Sequence, residues 1–177
     1  MFDAIKKRFR DMGTIKALCE SAERHANSAG QAEPGAEHFV LAALDLPDGT
    51  ARQVFARLRA NPDGYRAAIA EQYASALRNV GIAMEAEAFG NGAAIPGAKG
   101  AYASQPSAQA LMRELAEQRK SAGSLPLLGV HVILAAAQAQ FGVAARALQA
   151  MGVSPAALAE AARAEIAAAG GAPASFG

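Results

Sequence analysis

The stretch Gly35-Ala36-Glu37-His38-Phe39-Val40-Leu41-Ala42-Ala43-Leu44 returns in altered form as Gly129-Val130-His131-Val132-Ile133-Leu134-Ala135-Ala136-Ala137. The two histidines, His38 and His131, stand 93 positions apart, and the same offset relates much of the remaining chain to itself. A gapless internal repeat of this length demands a fold built from two equivalent units. Alanine identities count for little in a chain this rich in alanine. The informative matches are those with a conformational reason: Ser28-Ala29-Gly30 with Ser121-Ala122-Gly123, Gly49 with Gly142, Asn61-Pro62 with Ser154-Pro155, and Thr14 with Ser107.

Within each copy the periodicity is helical. Thr14 reads as an N-cap, followed by Ile15, Leu18, Cys19, Ala22 and Ala26 on one stripe, with Gly30 closing the helix. Pro34-Gly35 breaks the chain before a second helix bearing Phe39, Val40, Leu41 and Leu44 inward. After the turn Pro47-Asp48-Gly49, a third helix turns Val54, Phe55 and Leu58 inward. Asn61-Pro62 opens a fourth with Tyr65, Ile69, Tyr73 and Leu77, ending before Gly81. Ser107 takes the place of Thr14 in the second copy. The expected organisation is a basic N-terminal extension (1–13), repeat one (14–79), a Gly/Pro-rich linker (80–106), repeat two (107–169) and a disordered tail (170–177). The expected fold is all-α, a duplicated four-helix unit packed as a pseudo-twofold eight-helix domain with a groove at the junction. Each unit alone is too small to bury a large core.

Bulk chemistry removes several functional classes. The chain is 52% hydrophobic, largely alanine, the strongest helix former, and Trp is absent. A net charge of +1 gives no electrostatic case for nucleic acid. Lys6, Lys7, Arg8 and Arg10 read as a solvated face rather than a membrane or nucleic-acid patch. No apolar run is long enough to span a bilayer. The single cysteine, Cys19, reads as a core thiol, and together with the absence of a signal peptide it points to a cytoplasmic protein. Gly92 to Gly97 has the glycine spacing of a phosphate-binding loop, but Ala98 stands where lysine must follow. Three histidines without a Cys/Asp cluster predict no metal, no Gly-x-Ser-x-Gly elbow is present, and no cofactor is expected. Glu114, Glu117, Glu160 and Glu165 read as solvated helix acids.

The paired layout, with Gly35-Ala36-Glu37-His38-Phe39-Val40 at its centre, resembles the N-terminal Clp repeat domain of Clp-type AAA+ unfoldases, in which Gly-Thr-Glu-His-Leu-Leu is usual at that point. The chain departs from that pattern in its basic segment before Thr14, its long linker, the lack of any Walker motif, and Val130-His131 where a second Glu-His pair would stand.

The resemblance implies a stand-alone, non-enzymatic module that binds proteins or peptides. Its partners would be a Clp ATPase, adaptors or clients, including clients that bear phosphoarginine. Glu37, His38, Val130 and His131 are then the expected client-binding positions. Glu37 would pair with the guanidinium side of such a group while helix N-termini hold its phosphate. Read without the resemblance, Glu37 is a first-turn acid complementing the helix dipole, and the two histidines fix the loop before each helix. Two other classes stand beside this one. One is an assembly component docking through its N-terminal helix or linker. The other is a resistance protein whose groove takes an apolar small molecule.

Overall fold

The computed structural model of the chain describes residues 2–81, 104–121 and 125–171. Among these residues the secondary structure is entirely helical: α1 (Phe2–Ser28), α2 (Ala36–Leu44), α3 (Thr50–Arg57), a 3-10 turn (Pro62–Gly64), α4 (Tyr65–Asn79), α5 (Pro106–Ser121), α6 (Gly129–Ala137), α7 (Val143–Ala150) and α8 (Pro155–Gly171). The starts of α2 and α6, of α3 and α7, and of the 3-10 turn and α8 are each 93 residues apart, the offset seen in the sequence. Most of the linker, its near-miss glycine loop, and residues 172–177 of the tail lie outside the described residues.

Two short helices form the centre. Every residue of α2 is buried, as is every residue of α6 except Leu134. A helix apolar all round is stable only when wrapped on all sides, and the remaining helices do the wrapping. The wrapping crosses between the copies. α4 packs on α7, α3 packs on both α8 and α6, and α2 lies against α6. Phe55 of α3 and Tyr65 of α4 are wholly buried, and the Tyr65 hydroxyl is 3.5 Å from the Ala144 carbonyl of α7. Arg57 of α3 pairs with Glu165 of α8 at 2.7 Å, so Glu165 is a partnered acid at the seam rather than a solvated one. α6 approaches so closely that a Cβ on Gly129 would stand 2.9 Å from the Ala43 carbonyl and 3.1 Å from the Ala51 methyl. Only glycine fits there.

The termini of the helices differ from expectation in three places. Thr14 is no N-cap. It sits inside α1, a helix of 27 residues and about 40 Å, and its hydroxyl donates back to the Arg10 carbonyl at 3.2 Å. Residues 2–13 are therefore the first three turns of α1 rather than a separate lead. Ile15, expected on the inward stripe, is 37% exposed, whereas Leu18, Ala22 and Ala26 are fully buried. Ser107 is no N-cap either: α5 starts at Pro106, and the amides of Ala108 and Gln109 return to the Gln105 carbonyl. Asn61-Pro62 opens the 3-10 turn before α4, with Asn61 Oδ1 accepting from the Asp63 amide. Ser154 caps α8 as expected, accepting from the Ala157 amide at 3.2 Å. Gly49 and Gly142 both have positive φ, 69° and 104°.

The end of α3 carries the one strained backbone position among the described non-glycine residues. Arg59 has φ +53°, and the residue 93 places on is Gly152, with φ +77°. The turn after the third helix is thus left-handed in both copies, but only the second has the residue suited to it. An L side chain in that region costs about 1–2 kcal/mol. Arg59→Gly is expected to raise stability by about 1 kcal/mol, less the entropy glycine adds to the unfolded chain. Urea denaturation of the full chain measures it, and a variant less stable than the parent would show that the turn is not strained.

Candidate functional site

The buried central helices put their N-termini inside the protein, where water cannot satisfy the free amides of a first turn. At α2 the imidazole of His38 turns back, and its Nδ1 accepts from the Gly35 amide at 2.9 Å while the His38 amide returns to the Gly35 carbonyl at 3.1 Å. Accepting at Nδ1 fixes the tautomer with the proton on Nε2. The Ala36 amide is met by Ser107 Oγ of α5 at 3.2 Å, so the second copy's serine caps the first copy's helix. The Glu37 carboxylate folds over Gly35, where any Cβ would lie 2.5 to 2.8 Å from it. There it accepts the Tyr73 hydroxyl at 2.5 Å. Burial, followed by the neighbouring Glu37 charge, pushes Tyr73 well up from its ordinary pKa, so it remains a neutral donor. Gln105 clamps the preceding loop, donating through Nε2 to Gln31 Oε1 and the Glu33 carbonyl and through its amide to the Pro34 carbonyl, all at 3.0 Å.

α6 repeats the imidazole and replaces the acid. The Leu128 amide donates to His131 Nδ1 at 3.1 Å. Position 130 is a valine, and the carboxylate comes from the other copy. The Gly129 amide donates to Asp48 Oδ2 at 3.1 Å, and the Val130 amide donates to Thr50 Oγ1 at 2.9 Å. The Thr50 hydroxyl in turn donates to Asp48 Oδ1. On the other side of the same loop, Asp11 of α1 accepts from the Leu127 amide and from Arg119, both at 2.7 Å. Each central helix thus begins with one carboxylate beside its first turn, as its dipole favours: Glu37 from within α2, Asp48 across the copies for α6.

A polar cluster borders α2. His25 Nε2 donates to Asp45 at 2.6 Å, Arg66 donates to His25 Nδ1 at 2.9 Å, and Ser21 donates to Asp45 at 3.3 Å. A cavity of about 40 Å³, room for a single water, lies between His25, His38, Arg66 and Tyr73. Burial lowers the pKa of His25 and His131, and lowers that of His38 to about 4. Cys19 is half-buried against the core with its pKa raised, chiefly by burial, so it stays a thiol. Among the described residues no three His, Cys, Asp or Glu side chains are grouped to hold a metal ion.

The four residues singled out in sequence occupy the two first turns, all deep inside: Glu37 1%, His38 1%, Val130 0% and His131 2% exposed. A client guanidinium in solution therefore has no direct path to Glu37 in this conformation. An accessible concavity lies beside them. A groove of about 350 Å³ runs between the start of α2 at Ala36, the α5 face of Ser107, Ala110, Leu111 and Glu114, and the segment from Ala135 to Ala144. Its wall is mainly alanine, leucine and valine, and Phe141, 84% exposed, stands in its lining. Phe141 is the 93-residue counterpart of Asp48. Sequence reading passed over Asp48, Thr50, Ser107 and Tyr73 as components of these first turns. Asp48-Gly49-Thr50 has the form of a side-chain-capped turn, but nothing local says that it caps a helix 80 residues away.

Two outcomes follow from these first turns. His38 ordinarily titrates near 6.5 but is held neutral to about pH 4 in the fold. The unfolded chain therefore takes up a proton between pH 6.5 and 4 that the folded chain refuses. Stability is expected to be fully present above pH 6.5 and to fall toward pH 4, by roughly 3 kcal/mol from this residue. His25 and His131 act in the same direction. Melting temperatures across that range should show the fall, with a shallower slope in His38→Gln. Asp48→Ala leaves the Gly129 amide without an acceptor and should cost about 1–3 kcal/mol in urea denaturation. An unchanged midpoint would mean that the cross-copy cap is idle.

No curated protein gives a significant match to the sequence. The Clp repeat (R) N-terminal domain family matches residues 14–124, well over half of the chain, from within α1 through α5 and up to the loop before α6. That family is one of protein-interaction domains, and its all-helical character agrees with the fold described above. On the strength of that match and of the doubled helical layout, the chain belongs to the Clp repeat (R) N-terminal domain family.

Proposed function

We propose that this chain is a non-enzymatic receptor for protein segments, which recruits clients or adaptors for a Clp ATPase or withholds them from it. The observation that carries this reading is the groove of about 350 Å³ between α2, α5 and the α6–α7 segment. Its size and mainly apolar lining suit one or two side chains of an extended or helical segment. The polar groups on its wall, Ser107, Glu114, Gln138 and Gln140, offer few and dispersed contacts, which suits varied clients better than one small substrate. Phosphoarginine-bearing clients fit this reading with one change of residue. The carboxylate that lines the groove is Glu114, while Glu37 lies behind it as part of the α2 first turn.

The test uses a permanently unfolded, carboxymethylated model protein as probe, with binding followed by fluorescence anisotropy without nucleotide. Wild type is expected to bind. Ala110→Trp, which adds bulk at an exposed position on the groove wall, should weaken binding at least tenfold while leaving the melting temperature within a few degrees. Arg59→Ala, outside the groove, should bind as wild type does. Equal affinity in all three proteins, or none in any, would overturn the groove as the client site.

A further inference from the structure

The first turns of α1 carry a surface that the rest of the fold leaves unpartnered. Phe9 and Met12 are 70% and 63% exposed, two of the five large apolar residues left exposed among the described side chains. They are three apart on a helix and share one face. In the sequence Phe2, Ile5, Phe9 and Met12 follow one another at steps of three, four and three, the spacing of a continuous helical stripe.

The direction of this face is set by a buried contact. Asp11 is turned into the body, where it pairs with Arg119 at 2.7 Å and accepts the Leu127 amide at 2.7 Å. At about 100° per residue, Phe9 and Met12 centre some 130° round the helix from Asp11. The apolar face therefore points away from the domain, whatever else binds the groove. Lys6 and Arg8 border it, one on each side, and Arg10 lies further round; all three are exposed. Of the two acids in this stretch, Asp3 and Asp11, the second is neutralised inside.

We infer that the first three turns of α1 lie on an anionic lipid surface, with Phe9 and Met12 inserted between headgroups and Lys6 and Arg8 against lipid phosphates. Charge complementarity selects this occupant. A second copy of the chain would set one basic border against another. A neutral apolar protein groove would leave the two bordering cations, Lys6 and Arg8, without partners. An anionic bilayer meets both halves of the pattern at once, apolar face and basic borders, over a helix lying in its plane. No helix among the described residues is long and apolar enough to cross the bilayer, so the attachment is peripheral. This differs from the solvated face expected from the run of charges, because the structure shows the charges bordering an outward apolar stripe on an extended helix.

The experiment is flotation of the 177-residue chain with vesicles of 70% phosphatidylcholine and 30% phosphatidylglycerol, beside vesicles of phosphatidylcholine alone. The protein is expected to float with the anionic vesicles and not with the neutral ones, and to be released in 0.5 M salt. Lys6→Glu with Arg8→Glu should abolish flotation. Phe9→Ser with Met12→Ser should reduce the partition coefficient at least tenfold. All four positions are exposed, so circular dichroism and melting temperature should be unchanged in both variants. The inference is overturned if the wild type stays in solution with the anionic vesicles. It is equally overturned if the Phe9/Met12 variant floats as well as wild type, since the stripe would then take no part. Concentration-dependent dimerisation that is lost in that variant, with no flotation of wild type, would assign the face to a second copy instead.

Discussion

Everything in this fold depends on how two helices can begin inside a protein. α2 and α6 are buried almost completely, so the free amides of their first turns cannot reach water. Each helix solves part of the problem with its own third residue, His38 or His131, whose Nδ1 accepts the amide three residues before it. The rest is supplied by the opposite copy: Ser107 for α2, Asp48 and Thr50 for α6. The imidazoles must stay neutral to accept in this way, and burial ensures it by lowering their pKa.

This exchange of caps explains an asymmetry that looks like decay in sequence alone. The glutamate of the first copy has become Val130 in the second, as though an acidic site had been lost. In the structure the carboxylate has changed its source rather than disappeared, because Asp48 stands at the same first turn. A glutamate at 130 would set a second buried negative charge beside the first, which is unfavourable without a cation to pair with it. The converse holds at α2. Glu37 already supplies the charge there, and the counterpart of Asp48 is the exposed Phe141. The groove beside α2 has Phe141 in its lining, at the position that Asp48 holds in the first copy.

The groove and the first turns of α1 draw on different parts of the duplicated layout. The groove belongs to the joined copies, since its wall takes residues from α2, α5, α6 and α7. The first turns of α1 belong to no copy, because the repeat begins after them. They are held in one orientation by Asp11, whose partners Arg119 and Leu127 lie in the second copy. Any surface that engages this helix therefore holds the domain at a fixed angle.

Much of this was legible in the chain. The 93-residue offset, the helical periodicity and the left-handed turn glycines are local properties, and they specify eight helices in two equivalent sets. The inward residues Val54, Phe55, Tyr65 and Ile69 followed from spacing, because a stripe at helical period has one side to bury, whereas α2 is buried all round and Ile15, on the expected stripe of α1, is 37% exposed. Three things were decided only by tertiary structure. Thr14 and Ser107 have the chemistry of caps, but a hydroxyl in mid-helix can bond the preceding turn, and one on a neighbouring helix can cap a different helix altogether. Glu37 has the sequence context of a recognition residue, yet its exposure depends on how Tyr73 and Gly35 close over it. The partnership of Asp48 with α6 joins residues about 80 positions apart. Periodicity tells which face of a helix turns inward; only the packed fold determines which distant polar atom waits there, because that choice is made by proximity in space and not along the chain.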